Sequence, residues 1–268
     1  MSHPSAGRPR VRCEAVMGTV ASFTVYADGL AEEEAEAAID AAFDILVEAD
    51  RTFSTWDAQS PISRLRRHEL DFSELSRDIL DVIDACAEAR HLSRGWFDPW
   101  CLPGGFDPTG LVKGWATERA AGILRARGVA AAMVNTGGDI ALFGRHRPAE
   151  PWRIGIRHPW RHDAIARVME VESAVATSGT YERGAHLIDP GTGRRADAAA
   201  SATVTGPNLT LADALATALA IGGEDALAAV RAADGYEAYV IRPDGSEVFT
   251  AEPGVMESPA MMAGSSGS

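Results

Sequence analysis

The sequence predicts an α+β fold formed by a single unit, with a mixed or antiparallel sheet flanked by helices. Short apolar segments bounded by Gly, Pro or Asn predict strands, and stretches with apolar residues at helical spacing lie before and after most of them. No internal repeat or low-complexity linker divides the 268 residues. We expect one folded domain over residues 14–252, a disordered N-terminal arm over 1–13 and a disordered tail over 253–268.

The elements follow in order along the chain. Polar and apolar residues alternate over 18–27, which predicts a half-buried strand, and an Ala- and Glu-rich stretch over 31–51 predicts a long amphipathic helix. An irregular segment over 95–110 contains four large aromatic residues, which favours a functional role. Further helices are predicted at 73–89, 113–127, 208–221 and 224–233, and further strands at 129–135, 138–143, 152–157, 166–172, 174–177, 236–241 and 246–250.

The composition restricts the kind of partner and the compartment. A formal net charge of −13 argues against a nucleic-acid surface, because duplex binding requires Lys and Arg to neutralise phosphates. A small anionic ligand held by a lysine and backbone amides is still compatible with this charge. The cysteines Cys13, Cys86 and Cys101 form no C-x-x-C pair, and no window predicts a membrane span or a signal peptide. We therefore expect a cytoplasmic protein with reduced thiols.

The densest group of polar residues lies at 177–193, which contains four glycines, two acids, several hydroxyls and His186. Glycines let the backbone approach a ligand closely, and a histidine at the start of a strand can act as a general base near neutral pH. A structural histidine among ordinary turns explains this stretch equally well when it is taken alone.

Two oxygen-bearing residues, Asp213 and Thr217, are four positions apart on the helix predicted at 208–221, so their side chains face the same way. Oxygen ligands on one rigid face suit Mg²⁺. The alternative is that Asp213 only meets the positive end of the helix dipole and that Thr217 has no special role.

The segment 107–114 combines Asp107, Gly110 and Lys113 at the start of a predicted helix. A lysine beside the free N–H groups of a helix start can bind an anion, although the spacing is not that of a P-loop. The segment 135–139, Asn-Thr-Gly-Gly-Asp, predicts a tight turn that also fits an ordinary hairpin. The chain has no Gly-x-Ser-x-Gly motif and no dinucleotide-binding glycine motif after its first strand.

Seven motifs occur in a characteristic order. They are Met17-Gly18-Thr19, Ser54-x-Trp56 followed by Ser63-Arg64-Leu65, Asp107-x-x-Gly110-x-x-Lys113-Gly114, Asn135-x-Gly137-Gly138-Asp139, Thr177-Ser178-Gly179-x-Tyr181-Glu182-Arg183, His186-x-Ile188-Asp189-Pro190-x-Thr192-Gly193 and Ala212-Asp213-Ala214-Leu215-Ala216-Thr217-Ala218-Leu219. Together they resemble the ApbE-type FAD:protein FMN transferases, a family of flavin transferases, and the similarity extends over residues 14–250.

This resemblance implies a Mg²⁺-dependent enzyme that cleaves the pyrophosphate of FAD, transfers FMN to a Thr or Ser hydroxyl of a target flavoprotein and releases AMP. It implies metal ligation by the side chains of Asp213 and Thr217 and by the main-chain carbonyl of Gly110. Catalytic roles are implied for Lys113, which would stabilise phosphate charge, and for His186, which would accept the proton of the incoming hydroxyl. The FAD-binding positions implied are Met17, Trp56, Asp107, Lys113, Thr177, Ser178, Gly179, His186 and Ile188.

The chain departs from the family pattern at a few positions. Thr180 replaces an Asp found in many members, Ala216 replaces an acid or other ligand found in some, and the segment 95–110 is compressed. Two other activities are therefore considered, an FAD pyrophosphatase that yields FMN and AMP, and a non-catalytic FAD-binding protein. The acceptor protein, the oligomeric state and the choice between Mg²⁺ and Mn²⁺ are left open by the sequence.

Overall fold

The computed structural model describes residues 8–145, 150–161, 163–179 and 187–250. Its strands are β1 Arg10–Val16, β2 Thr19–Tyr26, β3 Ala131–Thr136, β4 Asp139–Phe143, β5 Trp152–Arg157, β6 Ile165–Val171, β7 Ala174–Ser178, β8 Ser201–Gly206, β9 Glu237–Ile241 and β10 Glu247–Phe249. Its helices are α1 Glu32–Phe53, α2 Pro61–Arg66, α3 Arg77–Leu92, α4 Thr109–Ala126, α5 Leu209–Gly222 and α6 Glu224–Ala232, with a 3₁₀ turn at Phe72–Glu74.

Within these residues, eight strands form one sheet in the order β1-β2-β3-β4-β7-β8-β9-β10, and β5 pairs with β6 in a separate hairpin. Every pairing is antiparallel. The prediction of an α+β fold is confirmed, and the sheet is antiparallel rather than mixed. Because side chains alternate between the faces of a strand, central strands such as β3, β4 and β7 contribute to two apolar layers.

The two faces of the sheet are covered by different elements. One face packs on the helices, and the core there includes Phe23 and Val134 from the sheet and Leu215 from α5. The other face carries Ile140 and Tyr239 against the β5–β6 hairpin. Among the described residues, the helices that flank the sheet lie on one of its faces, and the β5–β6 hairpin covers the other.

Helix α5 lies at the centre of the helical layer. Twelve of its fourteen residues are buried, including five alanines and Asp213. Small residues let neighbouring helices approach closely, and α5 contacts α4, β7 and β8. This position explains why its sequence is apolar almost all round, as expected for a helix enclosed by the core.

The N-terminal boundary of the predicted domain needs a correction. Strand β1 begins at Arg10, so residues 10–13, predicted to be disordered, pair with β2. Ion pairs from Arg10 to Glu36 and from Arg12 to Asp40 attach this strand to α1, a long-range contribution that local composition does not reveal. The predicted arm at 1–7 and the tail at 253–268 lie outside the described residues.

Within the part of the chain that the structure covers, no helix combines the length and the apolar character needed to cross a lipid bilayer.

Candidate active site

The first turn of α4 meets the middle of α5 at a cluster of oxygen atoms. Thr217 Oγ1 lies 3.4 Å from the carbonyl oxygen of Gly110, to which it donates a hydrogen bond. The same hydroxyl lies 3.3 Å from Ser178 Oγ at the end of β7. Three residues predicted as site residues from distant parts of the sequence are thus in direct contact.

Asp213 lies one turn before Thr217 on α5 and is 2% exposed. Its Oδ2 accepts a hydrogen bond of 2.9 Å from the N–H of Gly114 in α4. In a regular α-helix this N–H pairs with the carbonyl of Gly110, so Asp213 competes with that carbonyl for its donor. Because Asp213 takes part of this hydrogen bond, the carbonyl oxygen of Gly110 is more available to another partner.

The oxygen atoms of these residues are suitable ligands for a hard divalent cation. A carboxylate, a hydroxyl and a main-chain carbonyl are the oxygen ligands that Mg²⁺ takes, with the rest of its shell supplied by water and phosphate. Among the residues that the structure describes, no three His, Cys, Asp or Glu side chains lie together as a metal site. The fit therefore rests on one carboxylate, Asp213, with the neutral oxygens of Thr217 and Gly110.

The start of α5 is fixed by side chains that satisfy its free N–H groups. Asn208 Oδ1 accepts from the N–H of Leu211 at 2.9 Å. The carboxylate of Glu118 in α4 accepts from the N–H of Thr210 at 3.3 Å and from its hydroxyl at 2.6 Å. A carboxylate at a helix N-terminus is also favoured by the helix dipole. Glu118 therefore helps to fix the position of Asp213 relative to α4.

Lys113 stands one turn after the start of α4 and pairs with Asp139, the first residue of β4. Asp139 is fully buried, and the Lys113 side chain is 20% exposed. The Asn-x-Gly-Gly-Asp segment is the turn between β3 and β4, closed by a 2.9 Å bond from Gly138 N to Asn135 Oδ1. It is a hairpin turn, as one interpretation held, and it also supplies the acid that orients Lys113.

Asp107 is enclosed by hydrogen-bond donors just before α4. Its Oδ1 accepts from the N–H and the hydroxyl of Thr109 at 3.1 and 2.7 Å, and its Oδ2 accepts from Nη1 of Arg66 at 3.0 Å. These bonds start α4 at Thr109, earlier than predicted. Arg66 was missed by the sequence analysis. The one available signal was the carboxylate of Asp107 itself, whose second oxygen needs a partner beyond Thr109.

Met17 occupies the turn between β1 and β2. Met17 and Gly18 both have positive φ, 52° and 65°, as a tight type I′ hairpin turn requires. The Met17 N–H donates to Asp50 Oδ2 at 3.0 Å, which holds the turn against α1. A bond from Gly137 N to Val20 O at 3.3 Å places the β3–β4 turn beside this hairpin.

The residues at 177–188 that were predicted to contact FAD lie in different local environments. Thr177 is 9% exposed and its Oγ1 lies 3.0 Å from Thr203 Oγ1, so this hydroxyl is bonded within the sheet. Gly179 directly follows β7, and Ile188 is half-buried in an isolated bridge to Arg195. His186 and the Thr180 departure lie outside the described residues, so their roles stay predictions.

The turn after Ile188 is organised by Asp189. Its carboxylate accepts bonds of 2.8 Å from the Thr192 hydroxyl and 2.8 Å from the Gly191 N–H. These bonds hold the pKa of Asp189 below its ordinary value, because they stabilise the charged form. The motif is therefore a closed turn whose aspartate is engaged with its own backbone.

Trp56 is the most exposed of the large apolar side chains described, at 88%. A stacking surface for a planar ring is worth about 1–3 kcal/mol in other proteins. We expect Trp56→Ala to weaken FAD binding about tenfold while changing the free energy of unfolding by less than about 0.5 kcal/mol, as measured by flavin fluorescence titration and thermal unfolding.

Two variants control for this effect. Trp56→Tyr, which keeps an aromatic surface at this position, should bind FAD as wild type does. Trp160→Ala removes another exposed tryptophan, which packs on His158 beside the β5–β6 hairpin, and should leave FAD binding unchanged. Equal FAD affinity of Trp56→Ala and wild type would reject Trp56 as a contact.

The fold and these contacts define a class, α+β proteins with an antiparallel sheet and a polar, lysine-containing site where two packed helices meet. The chain belongs to the ApbE family, whose sequence profile matches residues 17–104 and 103–240. This confirms the resemblance drawn from the seven motifs.

Individual relatives agree with this family membership. The chain is 36% identical over 151 residues to a FAD:protein FMN transferase of Rhodobacter capsulatus, covering 53% of this chain and 29% of the relative. It is 36% identical over 130 residues to that of Vibrio cholerae, covering 44% and 39%. The matched segments thus span less than half the length of these two curated relatives.

Solved structures match over almost the whole chain. The flavin transferase ApbE from Vibrio cholerae superposes with a TM-score of 0.75 at 25% identity, covering 90% of this chain and 96% of that one. The ApbE protein of Thermotoga maritima superposes with a TM-score of 0.78 at 21% identity, covering 95% and 98%, and supports the fold alone.

Proposed function

We propose that this protein is a FAD:protein FMN transferase that requires Mg²⁺, attaches FMN to a Thr or Ser hydroxyl of a target flavoprotein and releases AMP. The observation that carries the proposal is the pair of contacts between α4 and α5, Thr217 Oγ1 with the Gly110 carbonyl and Asp213 Oδ2 with the Gly114 N–H, in a chain of the ApbE family. Lys113 lies on the same turn of α4. The names of the related proteins support the same activity.

In this proposal, some site residues bind the metal and FAD and others stabilise negative charge. Asp213, Thr217 and the Gly110 carbonyl would hold Mg²⁺, which when bound stabilises negative charge on the pyrophosphate and on the AMP leaving group. Lys113 presents its ammonium to the phosphates, and Asp139 fixes its direction. Trp56 offers an exposed aromatic surface to a ring of FAD.

The transfer replaces the phosphoanhydride bond of FAD with a phosphoester bond to the acceptor. The acceptor hydroxyl oxygen forms a bond to the FMN phosphorus while the bond from that phosphorus to the AMP oxygen breaks. His186, outside the described residues, is proposed to accept the hydroxyl proton. The products are flavinylated protein and AMP, so no redox partner is needed.

A cytoplasmic location is part of the same proposal. Cys13, Cys86 and Cys101 are all free thiols, which agrees with a reducing compartment. Burial raises the pKa of Cys86, and the Asp107 charge acts in the same direction. This thiol is therefore inert, and no function is proposed for it.

The test is an incubation of the purified protein with FAD and Mg²⁺, with and without a flavoprotein acceptor. AMP, free FMN and protein-bound flavin are measured together. AMP together with flavin covalently attached to an acceptor Thr or Ser is the expected result. AMP with only free FMN in both reactions would show a pyrophosphatase, and bound FAD without AMP in the presence of a competent acceptor would show a flavin-binding protein.

A further inference from the structure

Arg66, the last residue of α2, makes three hydrogen bonds to one short loop. Its Nη1 donates to Asp107 Oδ2 at 3.0 Å, its Nε to the carbonyl of Gly104 at 3.1 Å and its Nη2 to the carbonyl of Pro103 at 2.9 Å. The side chain is 17% exposed. A guanidinium with three directed bonds in a half-enclosed position is held in one orientation.

The loop is shaped around this guanidinium. Its ends are joined by a 2.9 Å bond from Asp107 N to Pro99 O. Gly104 has a φ of +87°, and a Cβ there would lie 2.6 Å from Arg66 Nη2. Only glycine both adopts this backbone conformation readily and leaves room for the arginine. The segment 99–107 and Arg66 therefore form one packed unit.

Asp107 links Arg66 to the start of α4, where the predicted site begins. While Oδ2 is bonded to Arg66, Oδ1 accepts the two bonds from Thr109 at the start of α4. The next residues in that helix include Gly110, whose carbonyl contacts Thr217, and Lys113. A hydrogen-bonded path thus runs from Arg66 through Asp107 to the turn that carries two of the predicted site groups.

The other end of α2 holds the Trp56 loop. Ser60 Oγ and Ser63 Oγ both donate to the carbonyl of Ser54, at 2.6 and 3.1 Å. Because α2 is only six residues long, it connects the Trp56 loop at its beginning with the Asp107 loop at its end. Both loops carry positions expected to contact FAD.

The positive charge of Arg66 also compensates the negative charge of Asp107. FAD carries a pyrophosphate, and an uncompensated carboxylate at Asp107 would repel it. The half-enclosed guanidinium neutralises that carboxylate at hydrogen-bond distance, where solvent screens the pair less than on an open surface.

We propose that Arg66 is a positioning residue for FAD binding, which acts through Asp107 by fixing the 99–107 loop and the start of α4. The proposal rests on the FAD-dependent function proposed above. It assigns Arg66 no contact with the reacting atoms, so its loss affects FAD affinity more than the rate of transfer.

The test is equilibrium FAD binding, followed by flavin fluorescence without turnover, for Arg66→Gln, Arg66→Lys, Asp107→Ala and the double variant. Arg66→Gln should raise the Kd about tenfold, since hydrogen bonds to charged groups are among the strongest. The kcat at saturating FAD, measured separately with Mg²⁺ and an acceptor, should change much less, because the proposal assigns Arg66 no contact with the reacting atoms. Arg66→Lys, which keeps the charge but not the fork of donors, should be intermediate. The double variant should lose less FAD affinity than the sum of the two single losses, because Arg66 and Asp107 act as one hydrogen-bonded pair.

Thermal unfolding of Arg66→Gln separates this role from a loss of folding, and a control variant tests whether the effect is specific to Arg66. Arg77→Gln removes an arginine whose side chain is 84% exposed on α3 and should bind FAD as wild type does. Wild-type affinity in Arg66→Gln, or additive losses in the double variant, would overturn the role of Arg66 and leave the proposed transferase standing. If the wild-type protein binds no FAD, both the transferase and the positioning role are rejected.

Discussion

Asp213→Asn is expected to abolish nearly all Mg²⁺-dependent turnover. The amide oxygen can still accept the 2.9 Å bond from Gly114 N, so the packing of α5 on α4 should persist while the negative charge is lost. Since metal-assisted charge stabilisation is worth several kcal/mol and each 1.36 kcal/mol is tenfold in rate, AMP release should fall by at least about 100-fold.

The measurement is AMP release against Mg²⁺ concentration, together with thermal unfolding. Asp84→Asn, an exposed carboxylate on α3, is the matched control and should retain the wild-type rate and metal dependence. An unchanged rate of AMP release in Asp213→Asn would show that Asp213 is not a metal ligand. An Asp213→Asn protein that unfolds well below the wild-type temperature would instead assign the carboxylate a structural role.

Gly114→Ala is expected to destabilise the protein and to disturb the site at once. A Cβ at this position would lie 2.7 Å from the carbonyl oxygen of Leu209 and 2.8 Å from the Cβ of Asp213. Both atoms belong to α5, so the two buried helices must separate to admit the methyl group. Overpacking of this kind costs about 1–3 kcal/mol, and the carboxylate of Asp213 should move away from the Gly110 carbonyl.

Gly122→Ala on the same helix is the control. A Cβ at position 122 meets nothing within 4 Å, and alanine is preferred to glycine in a helix by about 0.5–1 kcal/mol. Relative to wild type, urea unfolding should therefore show a lower free energy of unfolding for Gly114→Ala and a higher one for Gly122→Ala. A Gly114→Ala protein that is as stable and as active as Gly122→Ala would show that α4 and α5 need no such close approach.

The contact between α4 and α5 explains why the site is made from separate motifs. Residues of the Gly110–Gly114 motif are separated from Asp213 by about a hundred positions, yet Gly114 N and Asp213 Oδ2 are hydrogen-bonded. The glycine at 114 lets the helices approach, and Glu118 fixes the start of α5. The arrangement of these predicted site residues is thus a consequence of helix packing.

Local periodicity predicted those parts of the site that lie within one element. Asp213 and Thr217 share a face of α5 because the helix repeat places residues four apart on one side, and the alternation over 18–27 became strand β2 with Phe23 and Val25 buried. The order of motifs indicated the ApbE family, which the family profile confirmed.

Other features depended on partners that are distant in sequence. The strand pairing of residues 10–13 required β2, which the local composition of the arm did not indicate. Arg66 lies 41 residues before Asp107, and no periodic pattern connects them. Thr177, expected near FAD, bonds Thr203 because β7 and β8 are neighbours in the sheet.

By itself, the sequence determined the fold class, the helix and strand faces and the family, because each depends on residues close in the chain or on motifs in a fixed order. The tertiary structure alone decided that helices cover one face of the sheet and a hairpin the other, that Asp139 orients Lys113, and that Arg66 supports Asp107. The physical reason is that side chains from separate elements meet only when their buried faces pack together.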